Sequence, residues 1–504
     1  MRKIIIIYIF LAILLSAIPC FATDYYIKTN GSDAANGLSV GNAWKTFSKA
    51  LGVSGVACGD TLYIENGTYN SNNQYSSGYM MYLTKTCTSG NELTIIASND
   101  GQAVIDGETT KQPIKVTTGA AYINIEGLIF RNSSTEVVQV SGTATHINFR
   151  RCSAYHAGYG DYNLFIAHGY ATYILFEDCV ASQKYSGSPT GDSGRYGFFL
   201  FNAASYSTVR RCYVKYYSHA GGGGPCAPFS GYASNHNTFE NNVADLTEAT
   251  GECGGGYGER YWINIPSIYS AATNHSLYGN IGIAAGTYTV SYFGNVGLTS
   301  SDITWKDNVF YNFAQGILQS QSDTAVFENN TLYIGNNHGY YNYGTGSDVI
   351  LKNSSLIGGN PTLRDTVAGM THTYNNIYGS TSCYSGTTQG TGEYCNTKDP
   401  AYDTTTYGKG AYLMVPTALV GFGDGGVDIG AKVLYRYVDG SLTSDPLWPW
   451  PMEDRIYDET GISVTYELNG GIWKTLSGVY SSPPATSHGK ISGGGKYSGG
   501  AKLQ

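Results

Sequence analysis

The sequence predicts an all-β solenoid closed at one end by an amphipathic helix. Three observations predict it. A four-residue phrase recurs from about Tyr122 to Tyr378, the spacing of its copies stays within one coil length plus a loop, and the composition suits strands and turns. The phrase reads apolar, polar, small or acidic, then Asn or Cys. Clear copies are Phe149-Arg150-Arg151-Cys152, Phe176-Glu177-Asp178-Cys179, Val209-Arg210-Arg211-Cys212 and Phe239-Glu240-Asn241-Asn242. Leu277–Asn280, Trp305–Asn308, Phe327–Asn330 and Leu351–Ser354 continue it, with weaker copies at Ile125–Leu128 and Thr373–Asn376. Successive copies stand 24, 27, 33, 30, 38, 28, 22, 24 and 22 residues apart. One strand-type phrase per period suits a β-solenoid better than a helical one.

The composition agrees. The chain has 504 residues with 66 Gly, 45 Tyr and only 13% charged residues. Gly and Asn serve turns, and aromatic residues serve strands. A compact fold of this length would divide into domains, whereas solenoid coils contact only their neighbours. The net charge of −8 argues against a nucleic-acid partner. It leaves room for an acidic polysaccharide, because a local basic groove can sit on an acidic body.

The N-terminus reads as a secretory signal over residues 1–22. Arg2 and Lys3 precede an apolar run from Ile4 to Ile18, and Cys20-Phe21-Ala22 is a small-x-small cleavage site. The run is short for a membrane span, so no span is expected after cleavage. Localisation is therefore expected to be secreted or cell-surface. Nine cysteines remain after cleavage. Cys152, Cys179 and Cys212 share one repeat position and read as a stacked ladder of small apolar side chains. The other six allow the pairs Cys58–Cys87, Cys226–Cys253 and Cys383–Cys395. There is no CxxC to suggest a structural zinc site.

Residues 23–107 read as a cap and first coils. Tyr25-Tyr26-Ile27 is a strand, and Asn30–Gly37 a turn-rich loop. Ala43–Leu51 is an amphipathic helix with Trp44, Phe47, Ala50 and Leu51 on one face. Gly59–Ile64 and Asn66–Tyr69 complete the unit. Such a helix covers the apolar end that a first coil would expose.

This order of strand, G-S-D-x-x-x-G, W-K-T-F-x-x-A, G-D-T-L-Y-I and N-G-T-Y resembles the opening of secreted right-handed parallel β-helix proteins of the pectate-lyase-like superfamily. Leu93–Ile96, Val104–Gly107 and Ile125–Leu128 are similar to its first coils, and Gly426–Ala431 to its usual last coil. The resemblance implies a β-helix over 108–431. Its shared motifs are structural, so it transfers no catalytic residue.

The repeat positions have a structural reading. Equivalent residues stack about 4.8 Å apart on neighbouring parallel strands. The fourth position gives Leu128, three Cys, four Asn, Ser354 and Asn376, a ladder in which Asn amides bond to one another and also tolerate a left-handed turn. The second position reads Glu126, Arg150, Glu177, Arg210, Glu240, Tyr278, Lys306, Glu328 and Lys352. Its alternating signs make Arg150 and Arg210 structural.

Function is expected where the repeat is irregular. The three longest steps are consecutive, and their extra residues must leave the coil as loops on one side. The first loop carries Lys184, Tyr185, Asp192, Arg195 and Tyr196. The second carries Tyr217 and His219, and the third Glu248, Glu252, Arg260, Tyr261 and Trp262. Tyr155, His156 and Asp161 lie just before them. Tyr155, Tyr185, Tyr196, Tyr217, Tyr261 and Trp262 could stack on pyranose faces, with Glu248 and Arg260 bonding hydroxyls or uronates. The abundance of Tyr throughout the chain is the bland alternative.

Two chemistries fit such a groove. In a lyase a cation neutralises the uronate and a basic side chain removes the C5 proton; Lys184, His219, His156 and Arg195 are the candidates. In a glycosidase two carboxylates flank the bond, and Asp161, Asp192, Glu248 and Glu252 are available. Each single residue also reads as an ordinary exposed loop group. No cofactor is called for. Calcium is compatible with this groove, but no dense Asp cluster supports it. Residues 432–480, rich in Pro and aromatics, read as an extended segment packed along or across the C-terminal coil, with a sugar platform as the alternative. Residues 481–504 read as a flexible tail. The expectation is a monomer that recognises an extracellular polysaccharide, and either cleaves it as a lyase or glycosidase or does not. The alternative is a non-catalytic surface or adhesion protein whose solenoid is a spacer.

Overall fold

The computed structural model describes residues 22–158, 162–182, 196–215, 227–247, 261–265, 272–286, 288–293, 300–319, 324–335, 337–343 and 348–460. The proposed signal and tail, and the Cys226–Cys253 pair, lie outside these residues.

The chain is a right-handed parallel β-helix built from three sheets. Sheet one holds thirteen parallel strands, from Asp24–Ile27 to Met370–Thr373. Sheet two holds thirteen, from Gly67–Tyr69 to Tyr394–Cys395, and sheet three twelve, from Tyr79–Leu83 to Tyr384–Ser385. Each coil runs through sheets one, two and three in that order. Register is strict: Ile125, Phe149, Phe176, Val209, Phe239, Leu277, Trp305, Phe327 and Leu351 align strand by strand and all point into the core.

The repeated phrase is the corner between sheets one and two. Its third residue is left-handed from Gly127 (φ 74°) and Arg151 (φ 48°) to Asn353 (φ 52°), and in the last copy the turn falls one place earlier than the sequence reading set it, on Tyr374 (φ 54°). The sequence reading assigned that conformation to the Asn one position later. The structure moves it, because the Asn side chain is needed inside. Asn242 Nδ2 donates to Asn280 Oδ1 at 3.0 Å, Asn280 to Asn308 at 2.9 Å and Asn308 to Asn330 at 3.1 Å. Each Oδ1 also accepts a backbone N–H from the preceding rung. The ladder ends on Asn375, not Asn376, since Ser354 N donates to Asn375 Oδ1 at 2.9 Å while Asn376 pairs with Ser355 in sheet two. Cys152, Cys179 and Cys212 are free thiols on the upper rungs, buried as expected.

Outside this corner the charge row pairs as predicted. Glu177 binds Arg150 Nε at 2.8 Å and Arg210 Nε at 2.7 Å, and Glu328 lies 3.6 Å from Lys306 and 3.3 Å from Lys352. Disulfides Cys58–Cys87 and Cys383–Cys395 are both present.

The cap helix is shorter than expected, Phe47–Leu51. Thr46 makes it start late, as the N-cap whose hydroxyl accepts Lys49 N, and Asp33 fixes Thr46 in turn. Trp44 is extended, its backbone N–H donating to Tyr26 O and its indole N–H to Ala35 O, and still covers the core end.

The C-terminal segment departs further from expectation. Gly426–Ala431 is not a coil: Gly430 N donates to Asn353 O and Ala431 N to Thr331 Oγ1. From there a strap returns toward the N-terminal end over the outside of sheet two, reaching Leu128 and Ser153 through Arg455. Ile129, Val180, Tyr213, Val243, Ile281 and Val309 face outward on sheet two and form one apolar cluster with Val433, Leu447, Trp448, Trp450 and Ile456. Trp448 and Trp450 are buried there, which rules out a sugar platform. The strap covers most of one sheet because that sheet's outer face is apolar along its length.

Candidate functional site

The three outer faces differ. Sheet one carries the paired charges, and sheet two lies under the strap. Sheet three remains. The connections 183–195 and 216–226 both join sheet two to sheet three. The third long step divides, with 248–260 at that same corner and 266–271 between sheets three and one.

Outward positions on sheet three form two rows along the solenoid axis. One aligns Lys115, Gln139, Ile166, Phe199, Ser230 and Asn264, and the other Ser141, His168, Phe201 and Tyr232. The rows change character along their length. At the N-terminal end Gln112 Nε2 donates to Gln139 Oε1 at 3.2 Å, and Gln139 Nε2 lies 2.9 Å from His168 Nε2. With its oxygen already accepting, Gln139 must donate to the imidazole. That fixes the His168 proton on Nδ1. Burial holds His168 below the usual histidine pKa, and the Lys115 charge adds to this, so the ring is neutral near pH 7. Burial acts oppositely on Glu136, raising its carboxyl against the pull of Lys115. Further along, Ile166, Tyr196, Phe199, Ala227, Tyr232 and Tyr261 make an apolar cluster with Phe201 packed against it. Tyr196 and Phe199 stack at 4.3 Å, and Phe199 and Phe201 at 4.9 Å.

The adjoining corner supplies a second polar group. Asp106 accepts from Arg131 Nε at 2.8 Å and from Asn132 Nδ2 at 3.0 Å, and His156 Nδ1 lies 3.1 Å from Asn132 Oδ1. Burial, then the nearby Arg131, lowers the His156 pKa. The short stretch 132–137 links this group to Glu136. Together the corner and the sheet offer fixed amide, imidazole and ammonium groups beside an aromatic patch. That combination can bond hydroxyls or carboxylates while packing apolar ring faces.

The predicted residues divide into three sets. Lys184, Tyr185, Arg195, Tyr217, His219, Glu248 and Arg260 lie outside the described residues, as do Asp161, Asp192 and Glu252. His156 belongs to the corner and Tyr261 to the sheet-three face, whereas the Tyr196 ring is corrected: it is fully buried within that face, stacked on Phe199. Tyr155 and Trp262 are corrected. Tyr155 is fully buried on sheet two, with its hydroxyl on Glu459 of the strap. Trp262 points inward against Phe229 and Phe310, so neither ring has a face for a sugar. Sequence reasoning missed Gln112, Lys115, Gln139 and His168. Their signal was there in outline, since Lys115 and Gln139 occupy matching positions on successive sheet-three strands and His168 lies on the next. The variable corner before that sheet breaks the spacing that would reveal them. No group of three or more potential metal ligands occurs among the described residues.

Residues 25–210 match the family model described as Pel9A-like, right handed beta helix region. A search of curated proteins gave no match. Among solved structures the chain is similar to pectate lyase Pel9A at 15% identity and a TM-score of 0.42, over 80% of this chain and 86% of that one. It is similar to a rhamnogalacturonan lyase at 15% identity and a TM-score of 0.38, over 76% and 92%. A mannuronic acid specific family 6 polysaccharide lyase from human gut microbiota follows at 12% and 0.41, over 76% and 89%. Residues 25–210 thus match a Pel9A-like right-handed β-helix region, set within a longer parallel β-helix.

Proposed function

We propose that the outer face of sheet three, with the sheet-two-to-three corner, binds an extracellular polysaccharide and that the segments entering this corner cleave it. The observation that carries the reading is the division of that face. A polar end with a fixed Gln112–Gln139–His168 chain adjoins an aromatic end around Phe199 and Phe201. A glycan asks for both at once, hydroxyl-bonding groups of set direction and flat apolar surface. Lys115 and His168 Nδ1–H favour a carboxylated sugar, because each presents a donor to an anion. The match of residues 25–210 to a Pel9A-like region supports the carbohydrate class.

Cleavage is proposed as β-elimination. Lys184 or His219 removes the proton next to the carboxylate and Arg195 neutralises the charge that develops. Export fits the two disulfides, which persist outside reducing compartments.

The test is a panel of polygalacturonate, alginate, glycosaminoglycans and neutral glycans, reading binding, ultraviolet absorbance of unsaturated ends, and new reducing ends. The reading expects a uronate polymer to bind and to yield unsaturated ends, with turnover lost in Lys184→Ala or His219→Ala. Reducing ends without unsaturation would replace the lyase with a glycosidase using Asp161, Asp192, Glu248 or Glu252. Binding without turnover would leave a recognition protein, and no binding would sink the proposal.

A further inference from the structure

At the C-terminal end of the solenoid a second constellation has no part in the groove. His372 stands on the last strand of sheet one, where its register partner in the coil above is the core residue Leu351. Its side chain therefore points into the open bottom of the barrel. The final turn of chain crosses that bottom and brings two groups to it. Glu393 lies 2.9 Å from His372 Nδ1, and Thr387 Oγ1 lies 2.8 Å from Nε2.

The order carboxylate, imidazole, hydroxyl is the geometry of an activated nucleophile. Its supports are in place. Glu393 is buried and receives Gly390 N at 2.8 Å, Asn375 Nδ2 at 2.7 Å and Tyr384 Oη at 3.0 Å. Burial alone would raise its carboxyl, but the bonds from His372 and Asn375 hold it below the ordinary value, so it stays charged opposite the imidazole. Tyr384 stacks on His372 with ring centres 5.8 Å apart. Both inner members are buried while Thr387 is partly exposed. The backbone N–H groups of Thr388 and Gln389 have no partner among the described residues, which leaves donors beside the nucleophile for an oxyanion. A hydrogen-bonded plug would need the carboxylate to satisfy Asn375 and to end the ladder. A plug would also give the buried Nε2 a partner, so reactivity of the hydroxyl is what tells the two apart.

We propose that Thr387, His372 and Glu393 form an esterase site, separate from the sheet-three groove, that takes short-chain acyl esters. Thr387 Oγ attacks the ester carbonyl as its proton passes to His372 Nε2. The acyl C–O bond breaks, and that proton leaves with the alcohol. An acyl ester now sits on Thr387. Water, deprotonated by His372, attacks the same carbonyl, and the acid departs as Thr387 regains its hydrogen. Ester and water give acid and alcohol, with no other reactant. Glu393 keeps the imidazole oriented and balances its charge in each half. The open setting of Thr387 at the base of the barrel suits a small acyl group.

The test uses the whole chain with p-nitrophenyl acetate. The proposal expects saturable release of p-nitrophenolate, an acetyl group on the peptide carrying Thr387 after rapid acid quench, and background rates in Thr387→Val and His372→Gln. Thr387→Ser should retain activity, which keeps the test valid should the valine variant fold poorly. A wild-type rate no greater than that of an equal concentration of imidazole would overturn it. So would a Thr387→Val rate equal to wild type, or acetyl found only at other residues. A plug without catalysis gives one of those three results. Glycan binding at sheet three is untouched by any of them.

Discussion

Sheets two and three are built from the same coils, yet their outer faces behave differently. Sheet two presents Ile129, Val180, Tyr213, Val243 and Val309, and the protein spends its C-terminal segment covering them. Sheet three presents Gln139, His168, Phe201 and Tyr232, and receives the longest connections of the chain at its edge. An apolar face must be sealed, and a mixed face can be offered to a ligand. The difference is the ground for placing the proposed glycan site on sheet three, since the repeat itself serves stacking.

The largest expected effect breaks the sealed side. Trp450 is buried between strap and sheet two, so Trp450→Ala should destabilise the protein by about 3–5 kcal/mol. Urea unfolding measures it. The same change on the other face, Phe201→Ala, removes a half-buried ring and should shift stability by about 1 kcal/mol or less while weakening glycan binding.

The ladder sharpens the contrast between positions within one corner. Asn280→Ala leaves Asn242 N–H and Phe239 C=O unpaired in the core and should cost about 1–3 kcal/mol. Cys179→Ala, one ladder position in the thiol section, removes only a small apolar atom and should cost about 1 kcal/mol. Equal losses at the two sites would show that the amide bonds add nothing beyond packing.

A pH series probes the remaining face, sheet one. Burial alone would raise the Glu177 carboxyl, but Arg210, Arg150 and Arg211 outweigh it and hold the pKa at about 2. A depressed carboxyl adds stability that is fully present above its unfolded pKa and is lost as pH falls through the folded value. The unfolding midpoint should therefore drop between about pH 4.5 and about pH 2. Glu177→Gln should remove this contribution and flatten that part of the profile. The smallest effect on stability belongs to Lys115→Ala, within about 0.5 kcal/mol, although it should weaken uronate binding about tenfold.

Much of the fold was legible in the sequence. The phrase ending in Cys or Asn marks a corner of two residues, too short to vary, so its copies stay aligned and the inward ladder and outward charge row can both be read. The left-handed residue one place earlier was harder to see, because Arg151, Asp178, Asn241 and Tyr374 share a backbone conformation and no side-chain chemistry. The strap was misread for a different reason. Trp448 and Trp450 carry no repeat signal, and only the apolar outer row of sheet two reveals where they dock. At the proposed groove, the long steps point to the connections between sheets two and three. They could not separate Trp262, which turns inward, from Tyr261 beside it, because the strand before each sheet-three position begins after a connection of variable length.

The central claim is that sheet three's outer face holds a glycan. It is tested most directly by titrating a uronate oligosaccharide that the panel identifies into wild type and into His168→Ala/Phe201→Ala, with the sheet-one variant Tyr173→Ala/Tyr206→Ala as control, and reading affinity by calorimetry. The account predicts a loss of about a hundredfold in the sheet-three variant, or about 2.7 kcal/mol, with the control unchanged. Full affinity in the sheet-three variant, or its loss in the control alone, would contradict it.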